Sequence, residues 1–327
     1  MAEDKLNELY LTQAADYVTT LWTNHQMATT IFRSRLNDFY KQYRGIPNRK
    51  NYDGLAIVFI NETLSAVESI VAQEFHTLFS ESKYLMFKPR EETDEENASL
   101  SEALIHYYLD IMDLESKVAD HLRQRAKYGT TVGKVVWEHE EDNVNNKIKK
   151  SKPRLELYDL LDCAFDSAIG DIEDMPWFII RKRMTKDDIL ERQRRTLYSK
   201  VQVDKLFTSK DGKQTFEFLN NMKQRLMSTG IMYHLMDQTI IEVYEFWGKV
   251  PRLWVDEDVK PEDDTAQELV PSVIEVSESK VTMRMERNRH SHQEIPIALD
   301  QYIKVDGEGY GLGVCEITES LQQILND

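Results

Sequence analysis

The chain has 327 residues with 41% hydrophobic content, enough to bury a sizeable core and long enough for one elaborate domain or two ordinary ones. With 57 Asp and Glu against 41 Lys and Arg, the net charge is -16; this disfavours a protein that wraps nucleic acid, because affinity for DNA comes largely from neutralising phosphates. The two cysteines, Cys163 and Cys315, are far apart and lack metal-ligand spacing. The polar, acidic amino terminus MAEDKLNELY and the absence of a long apolar run predict a soluble intracellular protein with no membrane contact.

Helical periodicity opens the chain. Apolar and aromatic residues recur with a helical period from about Leu11 to Arg44, and Gly45-Ile46-Pro47-Asn48 supplies a stop. Ile57, Ile60, Leu64, Val67, Val71, Phe75 and Leu78 predict a second helix with one core-facing side. Lys83 to Pro89 reads as a short strand and Glu91 to Glu96 as a solvated acidic loop. A third long helix carries Leu100, Leu104, Tyr107, Ile111, Leu114, Val118 and Leu122, and ends at Tyr128-Gly129, where glycine can take a left-handed cap.

The period then switches. Val132 to Glu138 and Arg154 to Tyr158 read as strands around a polar hairpin loop from Glu140 to Ser151. Trp177 to Arg183 is a strand feeding, through the N-cap Thr185 with Asp188 three residues on, a helix near Lys186 to Arg195. Lys200 to Gly230 is charged and moderately helical. Ile240 to Gly248 alternates as a strand, Asp256 to Asp264 is an exposed loop, and Val273 to Val276 and Val281 to Met285 are strands around a turn. Long helices followed by antiparallel strands and hairpins predict an α+β fold. By element content the chain divides into a helical part over 1–130, a mixed β-rich part over 131–300, and a turn and helix over 301–327.

Several clusters carry chemical possibilities. Asp159, Asp162 and Asp166, with Asp171, Glu173 and Asp174 behind them, are the best candidates for a divalent-metal site, and a metal-dependent phosphohydrolase or nuclease would use them. Their segment is dense in turn formers, so solvated turns are the account adopted. His290 and His292 are placed on an exposed tip, and Glu138-His139-Glu140 at an exposed edge. Lys147, Lys149, Lys150 and Lys152 form the strongest basic patch; they are candidate DNA contacts, or equally a charged edge guarded against aggregation, and aromatic residues for base stacking are absent from the run. Arg181, Lys182 and Arg183 are candidates for meeting the acidic loops of a neighbouring copy. Nothing has the spacing of a nucleophile elbow, and Cys315 reads as a small core residue. The glycines at 307, 309, 311 and 313 fit neither the dinucleotide fingerprint nor the P-loop, and read as a positive-φ turn into the last helix. No cofactor is expected.

The ordered segments Tyr128 to Trp137, Tyr158 to Asp166, Ile172 to Ile179 with Thr185 to Asp188, Val243 to Gly248, and Tyr310 to Glu316 with Gln322-Gln323 resemble the portal protein, or head-to-tail connector, of tailed bacteriophages. The resemblance implies a non-enzymatic subunit of a ring, usually of twelve copies, at one capsid vertex of the virion, assembled in the host cytoplasm. Its implied partners are the terminase large subunit, capsid and scaffold proteins, tail or adaptor proteins, and double-stranded DNA in passage. The first half of such a protein builds the outer wing, and this chain is expected to stop short of the stem. It departs from the pattern at Ser167, where a proline is expected.

Overall fold

The computed structural model describes residues 2–46, 60–81, 85–89, 91, 94–142, 147–208, 240–256 and 258–326, with the side chains of 2–7, 140–149 and 326 outside the description. The fold is α+β with two antiparallel sheets, as the sequence predicts. The chain weaves through two compact units. One comprises Met1–Lys41, Asp159–Ile295 and Asp306–Gly309; the other comprises Gln42–Tyr158, Pro296–Val305 and Tyr310–Asp327.

In the first unit, a five-stranded sheet has the order β3 (Cys163–Phe165), β4 (Trp177–Thr185), β5 (Ile240–Pro251), β6 (Leu269–Ser277), β7 (Thr282–Arg287). Helix α1 (Ala2–Ala28) lays Ala14, Ala15, Val18 and Trp22 on one face, against Ile179, Tyr244, Phe246 and Ile274. The small alanines bring the helix close to the strands. On the opposite face α6 (Lys186–Arg194) and α7 (Lys200–Thr208) bury Ile189, Val203 and Leu206 with Met184, Ile241, Val243 and Met283. The capping box at Thr185 and Asp188 forms as predicted, with both reciprocal bonds present. Because both faces are covered, β5 is buried almost throughout; its alternation of acidic and apolar residues does not mark a solvated face. Helix α2 (Thr30–Arg44) follows α1 at Thr29, through which the helical bonds Thr29 N to His25 O and Arg33 N to Thr29 O continue. The predicted first helix is therefore longer at its start, and it ends at Gly45 with a positive φ of 69°.

In the second unit, α3 (Glu62–Phe79), α5 (Leu114–Tyr128) and α9 (Val314–Asn326) pack together beside a three-stranded sheet of order β2 (Lys147–Tyr158), β1 (Thr130–Asp142), β8 (Ala298–Gln301). Arg252–Val255 is a single turn, α8, of the first unit. The α3 stripe is only partly core: Val67 and Val71 are buried, whereas Leu64 and Leu78 are exposed, and Ile57 lies outside the described residues. Residues 85–89 form no strand, and Lys83 and Tyr84 fall outside the description, as do residues 209–230 of the charged helical segment.

The predicted third helix is two helices, α4 (Glu95–Ile111) and α5. They part at Asp113, which adopts a left-handed φ of 54° that aspartate tolerates better than most residues. None of the α4 stripe is buried. Gly129 caps α5 at φ 79°, its N–H returning to the Arg125 carbonyl. The alternating glycines serve mainly for close approach: only Gly307 has positive φ, while a Cβ on Gly311 or Gly313 would lie 2.6 or 2.5 Å from backbone atoms of Gly129.

Candidate functional site: charged strands and their partners

Two strongly charged regions carry the sequence-predicted candidates, one in each unit. In the second unit the β1–β2 hairpin is longer than predicted, so the basic run is strand and not loop. The register sets Glu138 opposite Lys152, Glu140 opposite Lys150 and Asp142 opposite Lys147. Opposite charges directly across an antiparallel pair attract, so Glu138 offsets Lys152. The Lys150 ammonium lies 3.6 Å from a Glu138 oxygen, and Lys152 donates to the Ile111 carbonyl at 3.5 Å. The backbones of Lys147 and Lys149 lie in β2 and their side chains are outside the description.

β2 is an edge of its sheet, and its charges suit an edge guarded against pairing with another chain. β1 is flanked by β8 only over Thr130 to Gly133, so among the described residues Glu138, His139 and Glu140 pair with β2 on one side and leave the other side of β1 an open edge, as the sequence predicts. An aromatic residue is also present at the basic strand. Trp137 sits opposite Pro153, 56% exposed, with Tyr108 edge-on at 5.6 Å. It was invisible beside the lysines because the hairpin brings it there from 16 positions upstream of Pro153.

In the first unit, Arg181, Lys182 and Arg183 alternate across β4 and are engaged by carboxylates of the same unit. On the α1 face, Arg181 is 4% exposed, and its guanidinium donates to Asp162 at 2.8 and 3.0 Å and to Glu242 at 3.4 Å and lies over the Trp22 ring. Arg183 donates to both Asp162 oxygens at 2.7 Å. On the other face Lys182 pairs with Glu245, whose other oxygen accepts from the Trp247 indole at 2.6 Å. Glu245 stands opposite Glu275 in the register, and both are buried. Two adjacent buried carboxylates would repel strongly; Arg192 at 2.9 Å, Arg284 at 2.8 Å and the Tyr198 hydroxyl at 2.6 Å converge on Glu275 and offset this. Arg181 and Arg183 thus aim their charge at Asp162 and Glu242 of their own unit, and drawing both guanidiniums to a neighbour would strand those carboxylates in a nearly dry interior.

The aspartates are each occupied locally. Asp159 caps the short turn Leu160–Asp162 by accepting from the Leu161 N–H, and Asp166 accepts from Ala168 N–H in a tight turn. Asp162 is not in a solvated turn; it is 8% exposed and holds two arginines. Among the described residues no three His, Cys, Asp or Glu side chains gather in a group that could hold a metal ion. His290 and His292 stack at 5.2 Å in the loop after β7, next to Trp247.

Burial pushes the Cys315 thiol up to about 12, with nearby Lys127 opposing, and burial with Asp162 and Asp159 raises Cys163 well above its ordinary value. Both are core residues held as neutral thiols. Burial, aided by Arg33, lowers His25 to about 4, so its imidazole is neutral near pH 7. No described helix is long and apolar enough to cross a membrane. No protein-family model matches the chain, and no curated protein matches it.

Proposed function

We propose that the chain is a portal subunit: a structural, non-enzymatic component of a ring at a phage capsid vertex, through which DNA passes and on which terminase, capsid and scaffold proteins, and later tail or adaptor proteins, dock. One observation carries the reading. The segments on which the resemblance rests are scattered over most of the sequence, yet they gather into two groups, one in each unit, whose members adjoin.

Phe165 pairs with Phe178 across β3 and β4, and Phe178 with Trp247 across β4 and β5, so three of the segments lie side by side in one sheet. Pro176 of the second closes on Gly248 of the third, where a Cβ would lie 2.8 Å from the proline carbonyl. The other two also meet: Gly311 N–H donates to the Thr130 side-chain hydroxyl at 2.8 Å, and the backbone of Gly129 abuts those of Gly311 and Gly313. Segments that carry a family's pattern because they hold its fold together are expected to touch in this way.

The electrostatics suit a conduit. Lysines set against carboxylates, in a chain of net charge -16, offer little grip on a duplex, and weak grip lowers friction against movement. The test is the mass of the purified full-length product in solution. A closed oligomer of about a dozen copies, with duplex binding that is weak and shallow in its salt dependence, supports the reading. A monomer at all concentrations, or tight and steeply salt-dependent DNA binding, contradicts it.

A further inference from the structure

A cavity of about 450 Å³, a volume within the range of small-ligand sites, lies in the first unit beside the second half of α1. Thr19, Trp22, Thr23, Gln26 and Thr30 share one helical side and form a wall, and Glu278 and Lys280 of the turn between β6 and β7 also line it. What this wall offers a ligand follows from where its protons already go. The hydroxyl of Thr19 donates to the Ala15 carbonyl at 2.8 Å, that of Thr23 to the Thr19 carbonyl at 2.8 Å, and that of Thr30 to the Gln26 carbonyl at 2.9 Å. Each hydroxyl has a single proton, so all three oxygens are left as acceptors.

Trp22 and Gln26 supply the complement. Trp22 is 5% exposed, and no described residue accepts from its indole N–H. Its ring is fixed by Tyr244, 5.0 Å away between centroids, and by the Arg181 guanidinium at 5.2 Å. One helical turn on, the Gln26 amide nitrogen is buried without a partner among the described residues. Interior donors are costly to leave unanswered, so two of them on the wall of a cavity point to a ligand oxygen. Charge favours neither sign. Lys280, whose ammonium is tied to Asp16 at 2.7 Å, and Glu278 bring both signs to the same turn, and an ion entering here would give up its hydration for no dedicated counter-charge.

We propose that this cavity binds a neutral polyhydroxylated ligand, a saccharide of one or two rings. Sugar hydroxyls donate and accept at once, so one ligand can accept from Trp22 and Gln26 while donating to the threonine oxygens. A simple ammonium would leave the two donors unanswered, and a carboxylate would face the threonine oxygens and Glu278 with no proton to give. The proposal is independent of the portal reading.

Isothermal titration calorimetry of the full-length chain with methyl glucoside, methyl galactoside, N-acetylglucosamine and maltose is the test, with glucosamine and glucuronate as charged counterparts. At least one neutral sugar should bind saturably at one site per chain, and both charged sugars at least about tenfold more weakly. T23V keeps the shape of the side chain and removes an acceptor; W22F removes the indole donor. Each should weaken the neutral sugar at least about tenfold while thermal unfolding stays cooperative. Thr23 is exposed, so T23V decides the matter if W22F disturbs the core. No saturable binding of any of the four neutral sugars, which would leave the cavity to water, overturns the proposal. So does a charged sugar that binds as tightly as the neutral ones, or binding that either folded variant leaves unchanged.

Discussion

In the five-stranded sheet, Arg181, Glu245 and Glu275 are 4, 2 and 0% exposed, whereas in the β1–β2 hairpin the Lys150 side chain is 51% exposed beside Glu138. Both regions set acidic strands against basic ones, but burial alters what the pairing does. A buried ion that loses its partner pays the full cost of desolvation, while an exposed one is rescued by water and salt. In the first unit charge fixes how strands and helices fit together; in the second it dresses an edge and neutralises a basic run. A run of like charge in a sequence is thus no guide to its role until the opposite strand is known.

The comparison breaks most sharply at Arg181. R181A should cost about 3–5 kcal/mol in urea denaturation, because Asp162 and Glu242 are left buried without their shared guanidinium. A loss below about 1 kcal/mol would mean that the network is wetter than its geometry implies.

Next is a test of dryness by pH. His25 has its pKa lowered to about 4 from an ordinary 6.5. Below about pH 6.5 the unfolded chain binds a proton that the folded chain refuses until about pH 4. Stability therefore falls as pH falls through that window, by up to about 3 kcal/mol. H25Q should flatten the slope between these values in pH-dependent unfolding; an unchanged slope would show that His25 is hydrated.

The glycine junction of the second unit ranks with it. G129A must place a Cβ 2.0 Å from the Gly311 carbonyl at a left-handed φ and should cost about 3 kcal/mol, whereas G307A, with nothing within 4 Å, should cost only the left-handed strain of about 1 kcal/mol. Equal losses would mean that close approach is not why those glycines are there. The smallest effect belongs to the hairpin. K150A and K152A should each cost less than about 1 kcal/mol, with the difference from wild type fading in high salt.

What the sequence made legible was local. The capping box at Thr185 and Asp188, the left-handed cap at Gly129, the strand from Ile240 to Gly248 and the turn before β7 all depend on residues within a few positions of one another. What it hid was partnership at long range. Glu275 meets Arg192 83 positions away and Arg181 meets Glu242 61 away, so the arginines read as outward charge and Asp162 as a solvated turn. One signal was available: Tyr244, Phe246 and Trp247 put aromatics on both sides of β5, and a strand apolar on both faces has no solvent side for Glu242 and Glu245. The break at Asp113 was hidden too, because the apolar repeat runs through it without a glycine or proline.

Imaging of the full-length product by negative stain tests the central proposal most directly. The account predicts closed rings with a central opening. A uniform field of single subunits, unchanged as concentration is raised, would contradict it.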